Sequence, residues 1–271
     1  MMMYGGKLIH ESKEEEASVQ VVEDHESRHV HMGTPSRQSS MLLSDPYFLV
    51  QKYMRVMMLA LIFNPEPKKV LILGAGAGCM AKYLWKHFPF CHITAVDGSK
   101  EIIDIGHQYF HLPKEDPRID VVTSDAFLVM DRFSDCTFDL ILVDLFVGDA
   151  MPEQMGNLHF FGSCYRVLKE GGVLSWNTLK YTPKELMLAS VKSLCTFFFR
   201  NLLILPVQED IPDRFDGGNN IFIVFKPPVP DLTVEELKKR VGALQETTHD
   251  DLADLFTELN EFQGYGSLFQ Q

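Results

Sequence analysis

No apolar run in this 271-residue chain approaches the length of a membrane span. The longest, Val56 to Phe63, is far short of the ~20 residues that a bilayer-crossing helix needs. The first residues, Met1 to Glu16, turn acidic early and lack the basic stretch and apolar core of a signal peptide. A soluble, cytoplasmic protein without a membrane partner is therefore expected. Basic patches are missing too. The chain carries 37 acidic and 25 basic residues, a formal charge of −12. Such a surface repels phosphate backbones, so nucleic acid is not an expected partner. It attracts a cationic ligand, though weakly at physiological salt. Cysteine is sparse: Cys79, Cys91, Cys136, Cys164 and Cys195 are odd in number and include no C-x-x-C pair. They read as reduced core thiols rather than a disulfide framework or a zinc site. His25, His29 and His31 are close in sequence but have no second ligand cluster, so they read as a solvated strand face and no metal is expected.

What is present is strand and helix in alternation. Over the first sixty residues, Lys7–Glu11, Ser18–Asp24 and Arg28–Met32 are short β-branched stretches that suggest a small antiparallel sheet. A helix is expected over roughly Tyr47–Phe63, opened by Asp45-Pro46, closed by Asn64-Pro65, and striped by Val50, Met54, Met57, Met58 and Leu61. From Lys69 onwards, apolar runs recur at Val70–Leu73, His92–Val96, Ile119–Thr123, Phe138–Val143 and Gly172–Trp176. Runs of this kind suit strands buried on both faces of a parallel sheet. Helical patterns separate them at about Cys79–His87, Lys100–Phe110, Asp125–Arg132 and Asn157–Leu168. The alternation predicts an α/β fold, a Rossmann-like doubly wound sheet. Leu202–Val207 and Ile221–Phe225, around Asp216-Gly217-Gly218-Asn219, suggest a hairpin at the sheet edge. Thr233 and Glu236 form a capping box for a C-terminal helix, and Asp250–Phe262 reads as another. Three parts follow: 1–64 as N-terminal β segment and linking helix, 65–227 as cofactor-binding domain, and 228–271 as helical extension.

The chemistry gathers at the ends of the parallel strands. Val70–Leu73 runs straight into Gly74-Ala75-Gly76-Ala77-Gly78, and a helix follows. Small residues let backbone approach a ligand, and the helix start offers free N–H groups. Asp97 ends the next strand, 19 residues after Gly78. A carboxylate there can accept both hydrogen bonds of a ribose diol. Asp125 follows the third strand, within reach of an adenine amino group, and Asp144 ends the fourth. Each acid alone could simply cap the following helix. As a set they converge on one crevice beside the glycine loop. Asp139 and Asp149 read as helix-end or loop acids.

On these residues the chain resembles the spermidine synthase (polyamine aminopropyltransferase) family, a class I S-adenosylmethionine-dependent transferase type of fold. The likeness covers roughly Gly5 to Phe225. It rests on the β segment ending near Arg37-Gln38-Ser39-Ser40, the glycine loop, Asp97, Gln108-Tyr109-Phe110 with Leu112-Pro113, Asp125-Ala126, Asp144, and Phe160 to Leu174. The resemblance implies that Gly74, Gly76, Gly78, Gln38 and Asp97 contact the nucleoside cofactor and that Asp125 and Ala126 hold its adenine. Asp144 would accept the proton of the attacking amine. It further implies a homodimer, a small-molecule amine acceptor, and decarboxylated S-adenosylmethionine or S-adenosylmethionine as co-substrate. Three departures stand out. Ala77 replaces the loop aspartate that binds the cofactor's amino group. The family's Asp-Ser-Ser-Asp-Pro signature reads Asp144-Leu145-Phe146-Val147-Gly148, leaving only Asp149 to replace its second acid. The Tyr-His-Glu or Tyr-Gln-Glu segment falls on Leu49-Val50-Gln51.

Aminopropyl transfer is the expected reaction. Methyl transfer to another acceptor and nucleoside binding without catalysis remain alternatives. Typical methyltransferases carry an acid two residues before the first glycine, where Ile72 stands. An NAD-dependent oxidoreductase is disfavoured by the G-x-G-x-G spacing.

Overall fold

The computed structural model describes residues 1–14, 17–148, 150–179, 185–208, 218–253 and 255–256. The chain opens with an antiparallel meander, β1 (Met2–Met3), β2 (Gly6–Glu14), β3 (Ala17–Glu23), β4 (Ser27–Met32) and β5 (Arg37–Leu42), whose spatial order is the chain order. The turn into β4 is set by Asp24, whose carboxylate accepts from the backbone N–H groups of Glu26 (2.8 Å) and Ser27 (2.7 Å). His29 and His31 on β4 are buried, at 3% and 1% exposure, which overturns the solvated-face expectation; of the three, His25 alone is exposed. Burial of His29 is tolerated because hydroxyls meet both ring nitrogens. His29 lies 2.8 Å from Ser27 Oγ and 3.0 Å from Ser40 Oγ. His31 stacks on Tyr4 and lies 3.2 Å from the Thr34 carbonyl.

The linking helix is shorter than the methionine stripe suggests: α1 (Lys52–Met58) is continued by a 3₁₀ turn, Leu59–Ile62. After it come β6 (Lys69–Leu73), α2 (Cys79–His87), β7 (His92–Asp97), α3 (Lys100–Tyr109) and β8 (Ile119–Thr123). Then follow α4 (Ala126–Val129), β9 (Phe138–Val143), α5 (Leu158–Val167), β10 (Leu168–Leu179), α6 (Glu185–Phe198), β11 (Arg200–Val207), β12 (Asn219–Phe225) and α7 (Val234–Thr248). The large sheet has the order β11-β12-β10-β9-β6-β7-β8. Strands β6 to β10 are parallel, and β12 runs antiparallel between β10 and β11. The edge hairpin is thus present, with 209–217 of its connection outside the described residues.

Each central strand feeds two cores. Val70, Ile72, Ile93, Ala95, Leu140 and Leu142 face the core containing α1, α2 and the N-terminal sheet. Their neighbours Leu71, Leu73, Val96, Ile141, Val143 and Trp176 face the core under α4, α5 and α6. That double burial is why the strands read as unbroken apolar runs. Helix α6 was not anticipated. Its Leu188, Val191, Cys195 and Phe198 recur at helical spacing and pack into the second core.

Two more expectations need correction. Asp139 is neither a loop nor a helix-end acid but lies in β9, where it accepts from the N–H groups of Lys68 (3.0 Å) and Lys69 (2.8 Å) and pairs with Lys169 at 2.8 Å. Cys136 is exposed, in a turn with φ of 48°; the other four cysteines are buried as expected. The capping box is formed, Thr233 and Glu236 each satisfying the other's N–H. The extension docks on α1 and α2. Arg240 donates to the Ile62 carbonyl (3.0 Å), Arg55 pairs with Asp251, and Tyr83 donates to Asp250 (2.7 Å). Of the helix expected over Asp250–Phe262, residues 252–253 and 255–256 are helical, and 254 and 257–262 lie outside the described residues. Among the described residues, no helix is long and apolar enough to cross a membrane.

Candidate active site

Strand β6 has β7 on one side and β9 on the other, and the chain reverses its direction of winding there. In open α/β sheets the crevice beyond the carboxyl ends at such a switch point is where ligands bind. The glycine loop stands at that point. Gly74, Gly76 and Gly78 have φ of 87°, 54° and 83°, in the left-handed region that side chains avoid. Gly74 and Ala75 both donate to the Val96 carbonyl, at 2.9 and 3.0 Å, so the loop folds back over β7. Gly78 starts α2 and is covered by Leu112, which would clash with any side chain there. Leu112 belongs to the segment singled out at Gln108-Tyr109-Phe110. Lys82, buried in α2, fastens that segment by donating to the Phe110 carbonyl at 2.7 Å. Desolvation pulls the Lys82 pKa down.

Asp97 and the loop are joined directly. Gly76 N–H donates to Asp97 Oδ2 at 2.7 Å, and Ser99 N–H donates to Oδ1 at 2.9 Å. Asp125 caps α4, accepting from Phe127 N–H (2.7 Å) and Leu128 N–H (3.1 Å); it is exposed, while Ala126 beside it is buried. The helix-cap reading therefore holds for Asp125, whose carboxylate stands at the rim beyond β8. The N-terminal sheet reaches the loop through Ser39, whose hydroxyl accepts from Ala77 N–H at 3.1 Å. Gln38, half-buried, is its neighbour on β5. Ala77 itself is fully buried.

Asp144 is held on both oxygens. Tyr53 of α1 donates to Oδ2 at 3.1 Å, and Asn177 of β10 donates to Oδ1 at 2.7 Å. Asn219 of β12 in turn donates to Asn177 Oδ1 at 2.9 Å. Tyr53, Asn177, Asn219 and Ser39 were not among the site residues expected from the sequence. Tyr53 sits within the methionine stripe and looks like one more core aromatic. Asn177 had a signal, since it is a polar residue that directly follows the apolar run ending at Trp176. The Leu49-Val50-Gln51 triplet lies in or beside the core instead: Leu49 and Gln51 are buried, and Gln51 donates to the Arg37 carbonyl at 3.4 Å. Beyond Asp144 the wall is apolar, with Leu145 and Met151 buried and Val147 exposed; Asp149 lies outside the described residues. No group of three or more potential metal ligands occurs among the described residues.

The site thus offers an anchored glycine loop at the end of β6 and a carboxylate at the end of, or just beyond, each of β7, β8 and β9, the last of them, Asp144, fixed by two donors. That suits a nucleoside lying along β6 and β7 with a reacting centre beside β9. Known proteins similar to this chain give its family. The family model described as the spermine/spermidine synthase domain matches residues 49–224. A polyamine aminopropyltransferase from Chromobacterium violaceum is 31% identical over 228 residues, covering 84% of this chain and 83% of that protein. A probable spermidine synthase from Corynebacterium glutamicum has the same fold, with a TM-score of 0.72 at 20% identity, over 87% of each chain. A spermidine synthase solved with the transition-state analogue AdoDATO superposes with a TM-score of 0.67 at 18% identity, over 87% of this chain and 77% of that one. The chain belongs to the spermine/spermidine synthase family.

Proposed function

We propose that this protein is an aminopropyltransferase that moves the aminopropyl group of decarboxylated S-adenosylmethionine to a small amine. The observation that carries this is Asp144, a carboxylate fixed on both oxygens at the strand end that abuts the glycine loop. The relatives that share the family are named for this reaction, and one neighbour holds an analogue of its transition state.

In this reading Gly74, Gly76 and Gly78 allow backbone to approach the nucleoside, with Gln38 beside them. Asp97 takes the ribose hydroxyls, and Asp125 with Ala126 borders the adenine. The amine nitrogen attacks the carbon next to the positive sulfur. A C–N bond forms, the C–S bond breaks, and its electron pair goes to sulfur, leaving the neutral thioether methylthioadenosine. The amine proton passes to Asp144. Charge is lost at sulfur, so the protein's tasks are alignment and keeping the nucleophile unprotonated. The apolar wall of Leu145, Val147 and Met151 supports an acceptor whose far end is less cationic than a diamine's, since burying an unpaired ammonium is costly.

The test is a product assay with decarboxylated S-adenosylmethionine and a panel of mono-, di- and triamines. Release of methylthioadenosine with an aminopropylated amine is expected. A methylated product from S-adenosylmethionine, or nucleoside binding with no product from any amine, would overturn the assignment.

A further inference from the structure

Three side chains on neighbouring strands form a row across the carboxyl end of the large sheet. Asn177 lies beside Asp144 because the preceding residues, Trp176 and Val143, are paired between β10 and β9. Asn219 lies diagonal to Asn177, since Asn177 pairs with Ile221 and Leu179 with Asn219. Residues 219 and 221 share one face of β12. Both asparagines are buried, at 1% and 4% exposure. Two primary amides inside an apolar sheet disfavour the fold unless they are satisfied, and leucine would fill the space at less cost.

A primary amide has one donor end and one acceptor end. Asn219 presents its donor to Asn177 Oδ1 at 2.9 Å. The acceptor end of Asn177 is thereby taken, and its donor end must face Asp144 Oδ1, 2.7 Å away. We propose that Asn177 and Asn219 are a positioning pair that fixes the rotation of the Asp144 carboxylate, Asn219 acting only through Asn177. Tyr53 of α1 holds the second oxygen. The inference rests on the reading of Asp144 as proton acceptor and adds two residues on β10 and β12 to that site.

Asn219→Asp is the informative substitution, because it keeps the shape and turns the donor into an acceptor. Asn177 then swings its amide towards residue 219 and presents oxygen to Asp144. A fall in kcat of about 10-fold or more is expected, with KM for the sulfonium co-substrate within about twofold. Unchanged binding of methylthioadenosine shows that the variant is folded. Asn219→Ala, which adds no charge, lowers kcat in the same direction. The double variant Asn177→Ala/Asn219→Asp is no slower than Asn177→Ala alone, since no amide is left to turn. A second readout needs no turnover. The side-chain amide resonance of Asn177, identified by its loss in Asn177→Ala, moves in Asn219→Asp and in Asp144→Ala. Should the wild type give no product with any amine, the functional reading fails while this resonance still decides the pair. Wild-type kcat in Asn219→Asp with an unmoved Asn177 resonance overturns the proposal.

Discussion

A β-carbon on residue 74 would stand 2.0 Å from the carbonyl oxygen of Asp144. The first glycine of the loop and Asp144, which directly follows β9, are in backbone contact, and Asp144 N–H also donates to the Leu73 carbonyl at 2.8 Å. Glycine loop and acid are therefore placed by the same junction of β6 and β9. Gly74→Ala should be severe. It forces a left-handed backbone on a side chain and drives a methyl into backbone that cannot move aside. A loss of about 3 kcal/mol or more is expected, read as a fall in urea midpoint together with lost methylthioadenosine binding. A variant that unfolds at the wild-type midpoint would contradict this account.

Asp97 links loop and ribose in the proposed site. Asp97→Ala leaves Gly76 N–H without its 2.7 Å partner and removes the diol acceptor. Losing a hydrogen bond to a charged group costs about 1.5–3 kcal/mol, so nucleoside affinity should weaken roughly 10- to 100-fold. Calorimetric titration with methylthioadenosine measures it, and an unchanged Kd would remove Asp97 from the cofactor site.

Asp144→Asn tests the proton acceptor. It keeps the shape of the carboxylate but not its basicity. A drop in kcat of about 10²–10⁴-fold is expected, typical of losing a general base, with nucleoside binding retained. Tyr53→Phe, which removes the donor to Oδ2, should slow turnover by a smaller factor. Full activity in Asp144→Asn would leave the site without the role assigned to it.

The N-terminal sheet carries an acid-sensitive element. Burial, reinforced by nearby Arg37, pushes His29 down to about 4, against the opposing pull of Asp24. His31 and His87 are lowered by burial as well. The unfolded chain takes up protons from about pH 6.5 downward, whereas folded His29 resists them until about pH 4. Its contribution is complete above the unfolded value and is lost as pH falls through that window. The Tm of the wild type should therefore decline as pH is lowered across it, and His29→Gln should decline less steeply. Equal slopes would show that His29 stays neutral at no cost to the fold.

The parallel strands and the helices after them were legible because each strand but the edge strand β8 is buried on both faces and each helix on one. That pattern is written in local composition. The loop of Gly74, Gly76 and Gly78 was legible because only glycine suits those backbone angles. The strand-end acids Asp97, Asp125 and Asp144 were legible by position. Less was visible where a side chain answers to distant partners. His29 and His31 look solvated in sequence, yet β4 lies inside the meander, where Ser27 and Ser40 satisfy the His29 ring and the Thr34 carbonyl meets one nitrogen of His31. Asp139 looks like a loop acid, yet it ties β9 to the first residues of β6.

Sequence alone thus determined the fold class, the glycine loop and the family to which they belong, since these depend on periodicity and on residues a few positions apart. The surroundings of Asp144 were decided only by tertiary structure. Tyr53 is 91 residues away, Asn177 is 33, and Asn219 stands a further 42 from Asn177. No local spacing can announce such partners. They meet because the register of β9, β10 and β12 aligns three strand ends, while α1 packs against the same edge of the crevice.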